Sequence, residues 1–457
     1  MGNVYSTLVQ GERGQNIETA IKAYKNALLV QTKEIIPLEN LKTSLYLADL
    51  LYTNQRWGEA CEAFQQAHVA LELMRGETLK EASRRQLARS SAKFFARLVH
   101  CCLLLEDLEA AGNYALSGKS RTLNEQLTGE RQTLSELLEL DPELAQEYLP
   151  LQQRRRDLDT LLAILRQQFS EDDTRNLEEV VEEREKQYSE VTALRKEINF
   201  LTDNMVFKYP ALSVIQSFPP MTISDAKTLA SELGNLFLVE YIQHGGGWGA
   251  FVITSQTIHY VPLADRLLEQ IGQSLTMFLQ NDTEGHTLFW KAADWRERLK
   301  QLYELIFKPL LHYLPESGQV VIAPTKELHL VPFQALLTEE GSFLSESYAF
   351  SFVPSLATLH VLHERSKRSE QAQSIPNRLL NVSHSGGQHN YLEHVYLEAK
   401  EVDTQFDDSI FLSEEEATLE QVIEEANSRT YQVVHFNCHG RFLANNPTHS
   451  GLLLSQH

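Results

Sequence analysis

Two residues near the end of the sequence, Cys438 and His439, have the types that covalent peptide hydrolysis uses: a thiol to attack, and an imidazole to take and return its proton. They stand in "YQVVHFNCHGRF", residues 431–442, where a short apolar run predicts a buried strand ending at the histidine. Adjacent residues of an extended chain point to opposite faces, so these two side chains diverge and Cys438 is the wrong partner for His439. The same divergence argues against zinc on His435, Cys438 and His439, and no second ligand pair lies nearby. No metal and no cofactor is expected.

The other cysteines, Cys61, Cys101 and Cys102, fall in helix-patterned sequence where small buried thiols are common. No disulfide framework is visible, which fits a reducing cytoplasm. A net charge of -21 opposes nucleic-acid binding by phosphate neutralisation. No apolar run reaches the length of a membrane span, and no leader pattern opens the chain, so neither nucleic acid nor membrane is expected as a partner. "MGNVYS" matches a myristoylation pattern at Gly2, but the repeats below give that glycine a packing role.

The elements that must position these residues begin with a helical half. Leu47, Ala48 and Leu51, then Trp57, Ala60, Phe64 and Ala67, follow the offsets of a tetratricopeptide hairpin, with small residues where two helices approach. A looser copy runs through Leu98, Val99 and Cys102, then Leu108, Ala111, Ala115 and Gly118. Upstream, Ile17, Ala20, Tyr24 and Ala27 read as the second helix of an earlier unit, and Met1, Gly2 and Tyr5 as the tail of its first. Residues 1–121 are therefore expected to form a repeat solenoid whose concave face receives a protein partner. Over 122–215 the pattern changes to longer helices, with one stripe of Leu158, Leu161, Leu165 and Phe169 and another of Leu177, Val181, Tyr188, Val191, Leu194 and Ile198. This predicts a long helical hairpin.

From about residue 216 to 457 β-branched and aromatic runs take over. "NLFLVEYIQ" and "GAFVITSQTIHYVPL" read as strands on either side of "HGGGWG", and a glycine run between two strands is a hairpin turn; a phosphate loop would open a helix. A helical segment at 291–312 precedes the strand "GQVVIAP", the turn block "TKELHLVPFQALL" with His329, and the strand-to-helix run "YAFSFVPSLATLHVL". "RLLNVSHSGG", "LEQVIEEANS" and "YQVVHFNCHG" then read as strand, helix and strand. Such alternation predicts an α/β domain with a mainly parallel sheet covered on both faces, whose chemistry lies at the carboxyl ends of the strands. His439 and Gly440 occupy that place.

The order of these blocks, "VVIAPTKELHLVPFQALL", "YAFSFVPSLATL", "EEATLEQV", "YQVVHFNCHGRF" and "NPTHSGLLLS", resembles the CHAT domain, a caspase-like cysteine peptidase module usually joined to tetratricopeptide repeats. "GERGQNIETAIKAYKNAL" and "YALSGKSRTLNEQL" resemble the helical half of the same proteins. The resemblance implies that His439 is the catalytic histidine and that Gly440 is the glycine whose backbone N–H steadies the oxyanion. A glycine there lets a substrate carbonyl approach the backbone.

In that family the nucleophile lies on the strand after the histidine block, in a sequence like Leu-Ser-Ala-Cys-Glu-Thr-Gly, which this chain lacks. The expectation is a member truncated at both ends or a decayed copy, its α/β domain incomplete at the C-terminus and inactive as written. A non-catalytic adaptor built on the repeats is the alternative, and a nucleotide-binding signalling ATPase lacks its P-loop.

Overall fold

The structure, a computed structural model, describes residues 12–34, 36–77, 81–119, 142–170, 177–209, 220–264, 288–372, 377–386, 391–441 and 450–455, with residues 271, 272, 274, 275 and 277. The half-repeat at Met1, Gly2 and Tyr5, the boundary near residue 216, and the side chains of Phe169, Leu177 and Val181 lie outside what is described. The chain divides into two compact units, Met1–His363 and Glu364–His457.

Among the described residues, the first unit begins with the helices α1 (Arg13–Val30), α2 (Pro37–Thr53), α3 (Trp57–Glu77), α4 (Glu81–Leu104) and α5 (Leu108–Gly118). Pro37 starts α2 where a missing N–H is harmless, and Asp107 caps α5 by accepting from the Ala110 N–H at 3.0 Å. Three-residue connections return α2 onto α3 and α4 onto α5. Ala48, Ala60, Ala67 and Ala111 are fully buried at the close approaches, with Leu51, Phe64 and Leu98 filling the space between. The expected small-and-large pattern is thus the core of this helical region.

Two long helices follow, α6 (Pro142–Ser170) and α7 (Leu177–Lys208). Their shared core contains Leu158, Leu162 and Leu165 from one and Val191, Ile198 and Met205 from the other. Leu161 and Leu194 pack at its edge. Tyr188, expected in the stripe, stands exposed instead.

After α8 (Ile223–Glu232), whose Thr222 and Asp225 form a capping box, come β1 (Phe237–His244), β2 (Gly247–Ile253) and β3 (Ile258–Pro262). α9 (Trp295–Leu302), β4 (Gly318–Ala323) and β5 (Tyr348–Phe352) complete the unit, and α10 (Leu356–Ala372) runs across its boundary. The sheet order is β3-β2-β1-β4-β5, with β1, β4 and β5 parallel and β2 and β3 antiparallel. Short turns can connect only antiparallel neighbours, so the β1–β2–β3 run makes this sheet mixed rather than mainly parallel. Alternation divides it between two cores. Leu238, Ile242, Phe251 and Ile253 join the core of α1–α5 and α8, while Val239, Tyr241, Ala250 and Val252 join Leu299, Leu302, Ile306 and Phe307.

"HGGGWG" is the turn between β1 and β2, with His244 opposite Gly247. The glycines at its tip serve close approach. A Cβ on Gly245 would collide with the Tyr52 hydroxyl, and one on Gly246 with the His100 ring. Gly245 N–H donates to Ala96 O of α4 at 2.9 Å, so the hairpin tip is seated on the helices.

The second unit holds β6 (Arg378–His384), α11 (Val395–Asp403), β7 (Asp408–Ser413), α12 (Leu419–Ser428) and β8 (Val433–Cys438), then the short pair β9 (Gly440–Arg441) and β10 (Gly451–Leu452). Its parallel sheet has the order β7-β6-β8. β6 is central and buried; β8 is an edge, with Val433, Val434 and Phe436 each more than a third exposed. Among the described residues no helix is long and apolar enough to cross a membrane.

Candidate active site at the end of the third parallel strand

Because β6, β7 and β8 are parallel, their carboxyl ends lie together. The connections leave β6 first toward β7 and then back across to β8, so the sheet has its switch point beside β6, where a crevice opens in folds of this kind. His384 ends β6 and pairs in register with Cys438, which ends β8; His439 follows directly.

The faces of β8 are settled by its partners. His435 Nδ1 lies 3.0 Å from Asn381 Oδ1, and Asn437 Nδ2 donates to Val395 O of α11 at 2.9 Å. Asn381 is fully buried and also donates Nδ2–H to Ala399 O of α11 at 2.7 Å. Its Oδ1 is therefore an acceptor and the His435 Nδ1 carries the proton. Odd-numbered positions face α11. Leu380 and Val382 of β6 face the other way, packing with Val422 of α12, and Val434, Phe436 and Cys438 share that side through the register. Cys438 and His439 thus alternate onto opposite faces, and His435 and Cys438 do not converge on a metal.

The Cys438 thiol is a poor nucleophile for a second reason. Burial pushes its pKa up, against the smaller opposing effect of the Leu453 backbone N–H. Cys61, Cys101 and Cys102 are buried among the helices of the first unit.

His439 is half-buried, and its carbonyl accepts from Leu453 N–H at 2.7 Å, which ties the chain leaving β8 to the β9–β10 pair. Gly440 pairs with Leu452 and is exposed. A Cβ there would meet only the Leu452 side chain at ordinary contact distance, and its φ lies outside the left-handed region. Neither packing nor backbone strain requires glycine at 440, which leaves an open backbone beside an imidazole.

One polar cluster escapes the sequence reading. Glu414, just past β7, adopts φ 47° and turns its carboxylate to accept Ser385 N–H at 3.2 Å and Ser385 Oγ–H at 3.0 Å. His384 Nδ1 lies 3.4 Å from the same carboxylate. The signal was the abrupt change from apolar "RLLNV" to "SHSGG", which marks a strand end and says nothing of the glutamate it meets.

No curated protein matches this chain. Residues 296–457, which run from α9 through β4 and β5 and take in the whole second unit with His439 and Gly440, match the family model of the CHAT domain.

Proposed function

We propose that the chain is part of a caspase-like cysteine endopeptidase in which His439 is the general base and acid. A thiol carried by a segment outside residues 1–457 would attack the scissile carbonyl along the open edge of β8. His439 takes the thiol proton and returns it to the leaving amine, and the Gly440 N–H donates to the oxyanion. The observation that carries this reading is the end of β8: an imidazole at the carboxyl edge of a parallel strand, next to an open glycine backbone, with an apolar strand edge alongside that no described strand pairs.

The helical half is the tetratricopeptide-like scaffold in this proposal, and its concave face holds the protein to be cleaved in the cytoplasm. The experiment is expression of the longest reading frame that contains this chain, with cleaved proteins identified by labelling of new amino termini. His439→Ala should reduce cleavage by at least about a hundredfold. Cleavage unchanged in His439→Ala would sink the peptidase reading.

A non-catalytic adaptor is the second reading. It is favoured by the placement of the described cysteines, none of which accompanies His439 on its face of β8. It predicts that partners are retained by the helical half with no new amino termini and no effect of His439→Ala.

A further inference from the structure

Cys61 of α3 and Cys102 of α4 meet inside the helical region with their sulfurs 3.7 Å apart, although 41 positions separate them in sequence. Both belong to the core that includes Ala60, Phe64, Leu98 and Val99. Nothing in the peptidase reading uses them. The next cysteine, Cys101, is one residue away on α4, so its side chain leaves the helix about 100° around from that of Cys102.

We propose that Cys61 and Cys102 form a reversible disulfide, a thiol modification site that clamps α3 to α4. The sulfurs need to close to about 2.0 Å, which rotation of two short side chains on packed helices can supply. The chemistry balances with a small-molecule disulfide such as oxidised glutathione as the oxidant. The Cys61 thiolate attacks one sulfur of that disulfide, forming a mixed disulfide and releasing one glutathione thiolate. The Cys102 thiolate then attacks the Cys61 sulfur, displacing the second glutathione. Two thiol protons leave the protein and two electrons pass to the oxidant. Cys61 is the entry point because it is 6 % exposed, whereas Cys102 is 1 % exposed. The hydrogen bond it shares with Cys102 also favours its thiolate, holding its pKa below the ordinary cysteine value.

The clamp lies where the helices receive the sheet. Two residues before Cys102, His100 stacks on His244 of the hairpin tip with ring centroids 5.3 Å apart, and Ala96 O accepts the Gly245 N–H. Trp57, at the start of α3, packs 6.0 Å from the His100 ring. Oxidation therefore fixes the two helices that hold the hairpin against each other. This inference stands apart from the peptidase reading and survives its failure.

The test uses the full chain carrying Cys438→Ser, so that three thiols remain. It is equilibrated across a series of glutathione to oxidised-glutathione ratios, blocked with an alkylating reagent, digested and mapped by mass spectrometry. A second arm refolds the chain from urea in the same buffers, so that burial cannot hide a favourable bond. The expected result is loss of two of three thiols, a Cys61–Cys102 cross-linked peptide, its survival in Cys101→Ser, its absence in Cys61→Ser, and recovery of all thiols in dithiothreitol. The melting temperature of the oxidised chain should exceed that of the reduced one. Three free thiols in both arms with a native circular dichroism spectrum would overturn the proposal, as would a cross-link through Cys101 or between two chains.

Discussion

Lys119, the first residue past α5, places its ammonium 2.5 Å from Oε1 of Glu240, a carboxylate fully buried in the middle of β1. The same ammonium donates to Ala323 O at 3.0 Å and Tyr241 O at 3.3 Å, so the cation is held by the carboxylate and two strand carbonyls. The second carboxylate oxygen accepts the N–H of Leu356, the first residue of α10, at 2.8 Å. One ion pair thus joins the end of the helical region to the sheet and to the start of the next helix. Buried pairs of this kind are expensive to break from one side because the remaining charge has no water to return to.

Lys119→Met should therefore destabilise the first unit by about 3–5 kcal/mol in urea unfolding. Burial raises the Glu240 pKa, and Lys119 is the main influence that opposes it. With a folded-state value above the unfolded one, the folded chain holds the proton more tightly, so stability falls as pH rises from the ordinary glutamate range near 4.3. Removing Lys119 should steepen that fall, and Lys119→Met with Glu240→Leu should abolish it. An Lys119→Met chain whose stability has the same pH dependence as the parent would contradict the pairing.

The hairpin tip predicts the opposite slope. Gly246 N–H donates to His244 Nδ1 at 3.0 Å, so that nitrogen is unprotonated, and Nε2–H faces the Tyr260 hydroxyl at 2.5 Å. On its other side stand His100 and, beyond it, Tyr52, whose hydroxyl lies 2.5 Å from His100 Nδ1. Burial and then the neighbouring His100 hold the His244 pKa down to about 4. The unfolded chain binds the proton first, so stability is lost as pH falls below about 6.5 and the loss is complete near 4. His244→Gln should flatten that part of the profile, with a difference on the order of 2–3 kcal/mol between pH 7 and pH 4. Parallel profiles for parent and variant would show that His244 titrates normally.

These two junctions also mark where sequence reading stops. "HGGGWG" between two apolar runs announces a hairpin, because a turn is a local property of the chain. That its tip docks on Tyr52 and His100 is a matter of residues far upstream, and nothing in the glycines names them. Glu240 stands within "NLFLVEYIQ", which reads as a strand, and nothing in that run names Lys119, the partner with which it lies wholly inside. At the candidate site, the roles proposed for His439 and Gly440 come from the block order around them, and the strand that ends at Cys438 was legible from its apolar run. Asn381 and Glu414 were not, since both act across strands whose register only the folded sheet supplies. The strand order β7-β6-β8 was hidden for the same reason: each strand alone is an apolar run, and pairing is decided by connection length and register.

Cys438 should be slow to alkylate. With its thiol pKa raised by burial, the thiolate fraction at pH 7 is small, and iodoacetamide labelling of the native chain should climb steeply only above pH 9. Rapid single-residue labelling of Cys438 at pH 7, read by peptide mapping, would mean an activated thiol and would reopen its candidacy as a nucleophile.

The histidines of "HFNCHG" should separate by experiment. His435 donates to the buried Asn381, which in turn donates to Ala399 O, so this chain of hydrogen bonds fastens β8 and β6 to α11. Asn381→Ala removes the hydrogen bond to the Ala399 carbonyl and the one from the half-buried His435 Nδ1, and each such loss is worth about 0.5–1.5 kcal/mol. His435→Ala should likewise lower the stability of the second unit by about 1 kcal/mol, and on the peptidase proposal it should spare most of the cleavage. On the peptidase proposal, His439→Ala should remove cleavage in a chain that still unfolds cooperatively. If His435→Ala removed cleavage at unchanged stability and His439→Ala did not, the base would be the histidine that faces Asn381, and the assignment from the strand end would be wrong.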